Sequence, residues 1–364
     1  MPAPIRVVLL ATALAGVSAP ARIWAQASPY IPLDDPRLPL LEHLITRGDV
    51  ADPSPMVRPF RRSDAVRVLA AADTAQVSKV TREVLRRLRQ AYEERPDTYW
   101  RLEGRAGGQV YTEARREQLH PAGPDGIRPY VELTGTARLG NLVLLTRPTV
   151  EPRLVDDPDW LGRRDLTVAG RVADAYISGQ FRYAELFYGQ MDRNWGPTGL
   201  PGIPLSNYGY ERQGLAIEIG TRNLRLAALA TDLQDQIDSL GQTVHRYYFV
   251  HRLHARLSPR LVIAPWEGII VAGVGRTFET RYRNPLSIGY LANTIGFGDR
   301  SNVMLGVDVY WQAFRRSTLL AQLALDDFWY TNRERNRDRW ALTFGATGPL
   351  GSSIGWRLLY SQVS

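Results

Sequence analysis

The run Asp192-Arg193-Asn194-Trp195 sets a carboxylate, a cation, an amide and a large aromatic face side by side, and Asn207 adds a second amide a little further on. These are the groups that hold a sugar, because an indole stacks on the apolar face of a pyranose while amides and charged groups take its hydroxyls or acidic substituents. Asp192, Arg193, Asn194, Trp195 and Asn207 are therefore the candidate polysaccharide-binding set, with packing of Trp195 against its own protein as the competing reading. A second constellation is Arg252, His254 and Arg256, which alternate and so share one face of a strand. They either line an electropositive lumen or pair with inward acids such as Glu218, Asp308 and Asp326, and pairing is the favoured reading. His251 and His254 fall on opposite faces of a strand, which argues against a metal site. Asp326-Asp327 also point opposite ways and cannot act on one bond, and no nucleophile-elbow motif is present. The expectation is a non-enzyme with no catalytic residue, cofactor or metal; a soluble glycan hydrolase using Asp326 or Glu267 is the minority reading.

The elements that must position these residues divide in two. Between 36 and 95, Leu38, Leu41, Leu44 and Ile45 lie at helical spacing, Ser63 is placed to cap a stretch with Val66 and Leu69, and Val77, Val80, Val84, Leu88 and Tyr92 form a stripe. Three helices are predicted. From Tyr99 onward the period becomes 2, and roughly thirteen strand-like segments follow. In Tyr247 to Leu257 one face is apolar except for His251, and in Val303 to Ala313 the apolar face is Val303, Leu305, Val307, Val309 and Trp311.

A soluble sandwich would alternate in the same way, so the connections must decide. Tight joints at Gly140-Asn141, Arg222-Asn223, Ser258-Pro259, Arg315 to Ser317 and Gly348 to Ser352 alternate with long loops near 117–127, 149–164, 189–212, 234–242, 279–301 and 331–337. That parity belongs to an outer-membrane barrel, with short periplasmic turns and long outward loops. Aromatic residues near segment ends, such as Tyr99-Trp100, Phe187-Tyr188, Tyr310-Trp311, Phe328 to Tyr330 and Trp340, suit its interfacial girdles. The predicted fold is mainly β, a transmembrane antiparallel β-barrel with an N-terminal three-helix periplasmic plug. The run 189–212 becomes an outward loop stiffened by glycine and proline.

Composition agrees with export. Arg6, an apolar run from Val7 to Val17 and Ala25-Gln26-Ala27 read as a signal peptide over 1–27, followed by a helical bundle over 28–98 and the barrel from 99 to 364. The apolar run is too short for a spanning helix. The chain of 364 residues has no cysteine, so disulfides do not hold it together. Its net charge of +8 is scattered, and export makes nucleic acid an unlikely partner and an anionic polymer or lipopolysaccharide a better one.

Several ordered pieces resemble the capsule assembly Wzi family: Pro32-Leu33-Asp34-Asp35 leading into Leu41 to Gly48, Arg58 to Ser63, Asn194-Trp195-Gly196-Pro197 with Leu205-Ser206-Asn207, His251-Arg252-Leu253 before Ser258-Pro259-Arg260, Glu267, Asn284-Pro285-Leu286 and Asp326-Asp327-Phe328. Asn194 stands where that family usually has a first tryptophan, and Thr198 precedes Gly199. The resemblance implies an eighteen-stranded barrel closed by a small periplasmic helical bundle. It also implies a monomeric, lectin-like outer-membrane protein that holds capsular or other surface polysaccharide. A porin-like channel for anionic solutes is the alternative. Because the last strand is odd and the chain ends Gln362-Val363-Ser364 without a terminal aromatic, further strands are expected to complete the barrel, and the eighteen strands that the resemblance implies make them about five.

Overall fold

The structure is a computed structural model that describes residues 27–364 except 76, 96–98, 116–120, 208, 279–281, 283, 285, 292–300, 315, 327–338 and 352. The signal-peptide reading and Asp327 to Tyr330 thus lie outside the described residues. Three helices come first: α1 (Leu38–Thr46), α2 (Arg62–Ala70) and α3 (Lys79–Tyr92). Their apolar sides, with Ile31, Val50 and Phe60, make one core around Leu41, Leu44, Ala65, Leu69, Leu85, Leu88 and Tyr92.

Two local expectations need correction. α2 starts at Arg62 without a side-chain cap, and the amide of Ser63 instead donates to the Ser28 hydroxyl at 2.9 Å. In α3 the expected Val77, Val84, Leu88 and Tyr92 pack on the core together with Thr81 and Leu85, but Val80 is exposed. Ser78 caps that helix by accepting from the Thr81 amide at 3.1 Å, so that Val77 precedes the helix.

The remainder is one antiparallel meander of thirteen strands, each pairing with its sequence neighbours. They are β1 (Trp100–Tyr111), β2 (Gly126–Leu139), β3 (Leu142–Val150), β4 (Gly170–Gln180), β5 (Ala184–Gln190), β6 (Gln213–Gly220), β7 (Leu224–Ile237), β8 (Thr243–Ser258), β9 (Leu261–Val274), β10 (Ser301–Phe314), β11 (Ser317–Asp326), β12 (Arg339–Leu350) and β13 (Ile354–Val363). Among the described residues β1 pairs only with β2 and β13 only with β12, so the sheet is not closed. The mainly β class and the strand number agree with the sequence reading. Short turns gather at one end and longer connections at the other, but the 234–242 connection shrinks to 238–242 because β7 runs on to Ile237, and the last tight turn sits later, after Leu350. The turn 181–183 between β4 and β5 joins the short set.

The helical unit sits at the short-turn end. The amide of Ala27 donates to the Gly140 carbonyl, Arg225 reaches Ser54, Arg316 pairs with Asp49, and Arg357 donates to Thr46 at 2.8 Å. Laid flat, thirteen strands at about 4.8 Å spacing would span roughly 58 Å. One small unit touching turns from β2–β3 to β12–β13 therefore requires the sheet to curl around it. Gly48 marks how close the approach is: its φ is +68°, and a Cβ there would meet the Arg316 backbone at 2.9 Å.

Burial along the strands is inverted relative to a soluble protein. In β3 the face toward the helical unit, hereafter inner, buries Val143, Leu145, Arg147 and Thr149, while Leu144 and Val150 on the outer face are exposed. Elsewhere the buried inner residues include Glu132, Asp174, Ser178, Arg252, Asp308, Gln322 and Thr343, and the exposed ones include Leu133, Ile177, Leu186, Leu215, Leu323, Phe344 and Leu358. Exposed aromatics flank this apolar band, with Trp100, Tyr183, Trp311 and Trp356 toward the short turns and Tyr188 and Tyr360 toward the long connections. Phe187 and Tyr310, by contrast, are inner-face residues (Phe187 buried among Tyr30 and Tyr176) rather than girdle residues.

Candidate functional site

The connection 191–212 leaves β5 at the long-connection end, as its parity requires, but then dips against the inner face. Trp195 is 5% exposed and packs on Leu229 and Val250 of the wall and on Val57 and Leu205. The loop thus turns inward where an outward course was expected, and the indole follows the packing reading. An apolar niche between the helical unit and β7–β8 lets the ring bury its large surface, which outward exposure would forgo. The segment crosses itself closely enough that a Cβ on Gly202 would meet the Trp195 carbonyl oxygen at 2.2 Å, so glycine is required there by contact rather than flexibility.

Asn194 is buried and internally satisfied, its carboxamide accepting from the Gly202 amide at 2.6 Å and donating to the Leu200 carbonyl at 3.0 Å. Its backbone exchanges hydrogen bonds with Arg58, at 2.8 and 3.1 Å. Arg58 in turn donates to Glu42 at 2.6 Å and to Asp52 at 3.1 Å, and Thr198 donates to Glu42 at 2.9 Å. Burial pushes the Asp52 carboxyl above its ordinary range, against the pull of Arg58. The loop and the helical unit are thus one polar-locked assembly.

The lumen-facing candidates lie on the inner face. Arg252 donates to Asp308 at 3.0 Å, and Asp308 also accepts from Trp266 at 2.9 Å and from Gln322 at 2.9 Å. The Gln322 amide further donates to the Trp195 carbonyl at 2.8 Å, tying the wall to the loop. His254 and Arg256 line a cavity below Trp195, and Asp326 ends β11 at the long-connection end. His251 lies on the outer face, where it contacts Glu267 at 2.8 Å, and Glu267 also accepts from the Gly289 amide at 3.0 Å. Gly289 and Tyr290 thereby shelter the polar interruption of that apolar face. Another cluster carries no sequence motif: Arg147 bonds Asp174 at 2.7 Å, Asp34 at 2.8 Å and Glu132 at 2.9 Å, across two strands and the N-terminal segment.

Above Trp195 the inner face opens as a basin of about 330 Å³ toward the long connections. Asp192, Arg193, Tyr210, Glu211 and Arg212 line one side, and Thr231, Leu233, Tyr248, Ile270 and Met304 the other. Tyr248 donates to the Pro204 carbonyl, which fixes the floor. Tyr210 is held by Asp157 and by an edge-on contact with Trp160 at 4.9 Å, and Glu211 pairs with Arg171. Burial and the neighbouring Arg246 both lower the pKa of Arg212. Of the sequence-predicted set, the basin gathers Asp192 and Arg193; Asn207 lies instead on a cleft beside Thr198 and Arg357. Tyr210, Arg212 and Tyr248 were missed because only the fold brings the connection before β6 against β8.

No protein-family model matches the chain, and no curated protein matches it. Among solved structures it is similar to Wzi of Escherichia coli, described as an outer membrane protein involved in group 1 capsule assembly and a carbohydrate-binding β-barrel. That likeness has 12% identity over 93% of this chain and 96% of that one, with a TM-score of 0.34. It is also similar to a loop L8 deletion mutant of OmpT, an outer membrane protein of Vibrio cholerae, with 8% identity over 73% of this chain and 93% of that one and a TM-score of 0.32.

Proposed function

We propose that this chain is a monomeric outer-membrane protein whose outer strand faces contact lipid and whose long-connection end holds surface polysaccharide. The observation that carries the membrane reading is the inverted burial: leucine, isoleucine and valine stand exposed on the wall while arginine, aspartate and glutamine are buried behind it. In water such a band would be a liability, and in acyl chains it is the required surface. The sugar reading rests on the basin, where tyrosines, acids and arginines converge at the mouth. The helical unit and the loop that carries Trp195 fill the lumen, which favours binding over conduction. Glycan-array binding by the wild type and by Arg212→Ala tests the assignment: the variant loses glycan signal, whereas equal signal removes the basin as the site. Planar-bilayer recordings give small or no steady conductance, and a wide, steady pore would replace the binding reading with the channel.

A further inference from the structure

Beneath Trp195, on the side away from the basin, lies a second cavity enclosed by the N-terminal segment around Pro53 to Arg61 and by the inner faces of β6, β7 and β8. Its two acids are already engaged, Glu218 by Arg225 at 3.0 Å and Asp64 by Arg67 at 2.8 Å. Arg193, Arg222 and Arg256 also line it, and among the described residues none of the three has an acidic partner within salt-bridge distance. Three nitrogens around it lack a hydrogen-bond partner: a terminal nitrogen of Arg193, Nε of Arg256 and Nδ1 of His254, a side chain only 3% exposed. Arg193 is held from the other side by the Phe187 ring, 4.2 Å from its guanidinium carbon, which fixes its direction.

Unpaired buried donors are costly, and a surplus of fixed guanidinium groups is the chemistry that recognises an oxyanion. The cavity measures about 70 Å³. It is much smaller than the basin, which suits a small oxyanion better than a sugar ring. We infer that Arg193, Arg222, His254 and Arg256 form a binding site for a phosphate-class oxyanion, reached from the short-turn end. It lies on the other side of Trp195 from the basin, with Arg193 common to both linings, and does not depend on glycan binding there.

Equilibrium dialysis of the full chain in detergent with radiolabelled inorganic phosphate tests this. One saturable site is expected, weakened at least tenfold by Arg256→Gln and also by Arg222→Gln, an exposed turn position whose replacement leaves folding intact. Arg163→Gln, in the distant β3–β4 connection, leaves phosphate binding unchanged. Glycerol phosphate as competitor distinguishes the source: displacement means that the site takes a phosphate monoester, and no displacement means free phosphate. Absence of saturable binding, or equal binding by wild type and both cavity variants, would overturn the assignment.

Discussion

Trp195 shows how one residue type leaves two readings open, stacking on a sugar or packing in its own protein, until its place in the fold is known. A stacking face beside Arg193 and Asn194 is visible in the sequence, but the partners that bury it, Leu229 and Val250, lie two and three strands further on. Trp195→Ala should cost about 3–5 kcal/mol, the range for emptying a buried aromatic site, measured by chemical denaturation in detergent. Glycan binding should fall only through disorder of the basin floor, so restoring order at low temperature restores binding. Arg147→Ala should be as severe, at about 3–5 kcal/mol, because it strands the buried carboxylate of Asp174 and leaves Glu132 with Arg105 as its one cation among the described residues. An unchanged denaturation midpoint would show that those acids find other partners.

At the scale of elements, the contact of interest is between the N-terminal segment and the wall. Burial acts to raise the Asp34 carboxyl, but the Arg147 guanidinium outweighs it and holds the pKa below the ordinary carboxylate value. A depressed folded-state pKa gives a contribution present above the unfolded value, about 4, and lost as pH falls through the lower folded one. Hydrogen exchange of residues 29–36 should therefore stay slow from neutral pH to about 4 and quicken below it. Protection that weakens already near pH 6 would mean that another group controls docking. Helix existence and most of the buried stripe were legible from the apolar spacing, whereas the start of α3 was not, because the Ser78 cap sets it.

For the molecule as a whole, alternation of residue types assigns two faces to every strand but offers no way to decide which of them meets solvent. The curl around the helical unit decides it. Leu323→Arg, on the outer face in mid-strand, should cost about 2–4 kcal/mol in lipid or detergent, judged by the shift of the unfolding transition. The inner-face change Thr343→Asn should cost much less. Equal effects would mean that the outer face is not in a hydrocarbon medium.

Periodicity and turn spacing, being local, determined by themselves that three helices precede about thirteen antiparallel strands, and which residues share a strand face. They located the arginines that face inward but not the acids that meet them, since Arg252 and Asp308 are 56 positions apart. The tertiary structure alone decided that the loop carrying Trp195 turns inward, that Arg147 gathers three carboxylates, and that Tyr210, Arg212 and Tyr248 share one basin. Those outcomes depend on which strands the curled sheet brings opposite one another, a long-range property that no short run of residues encodes.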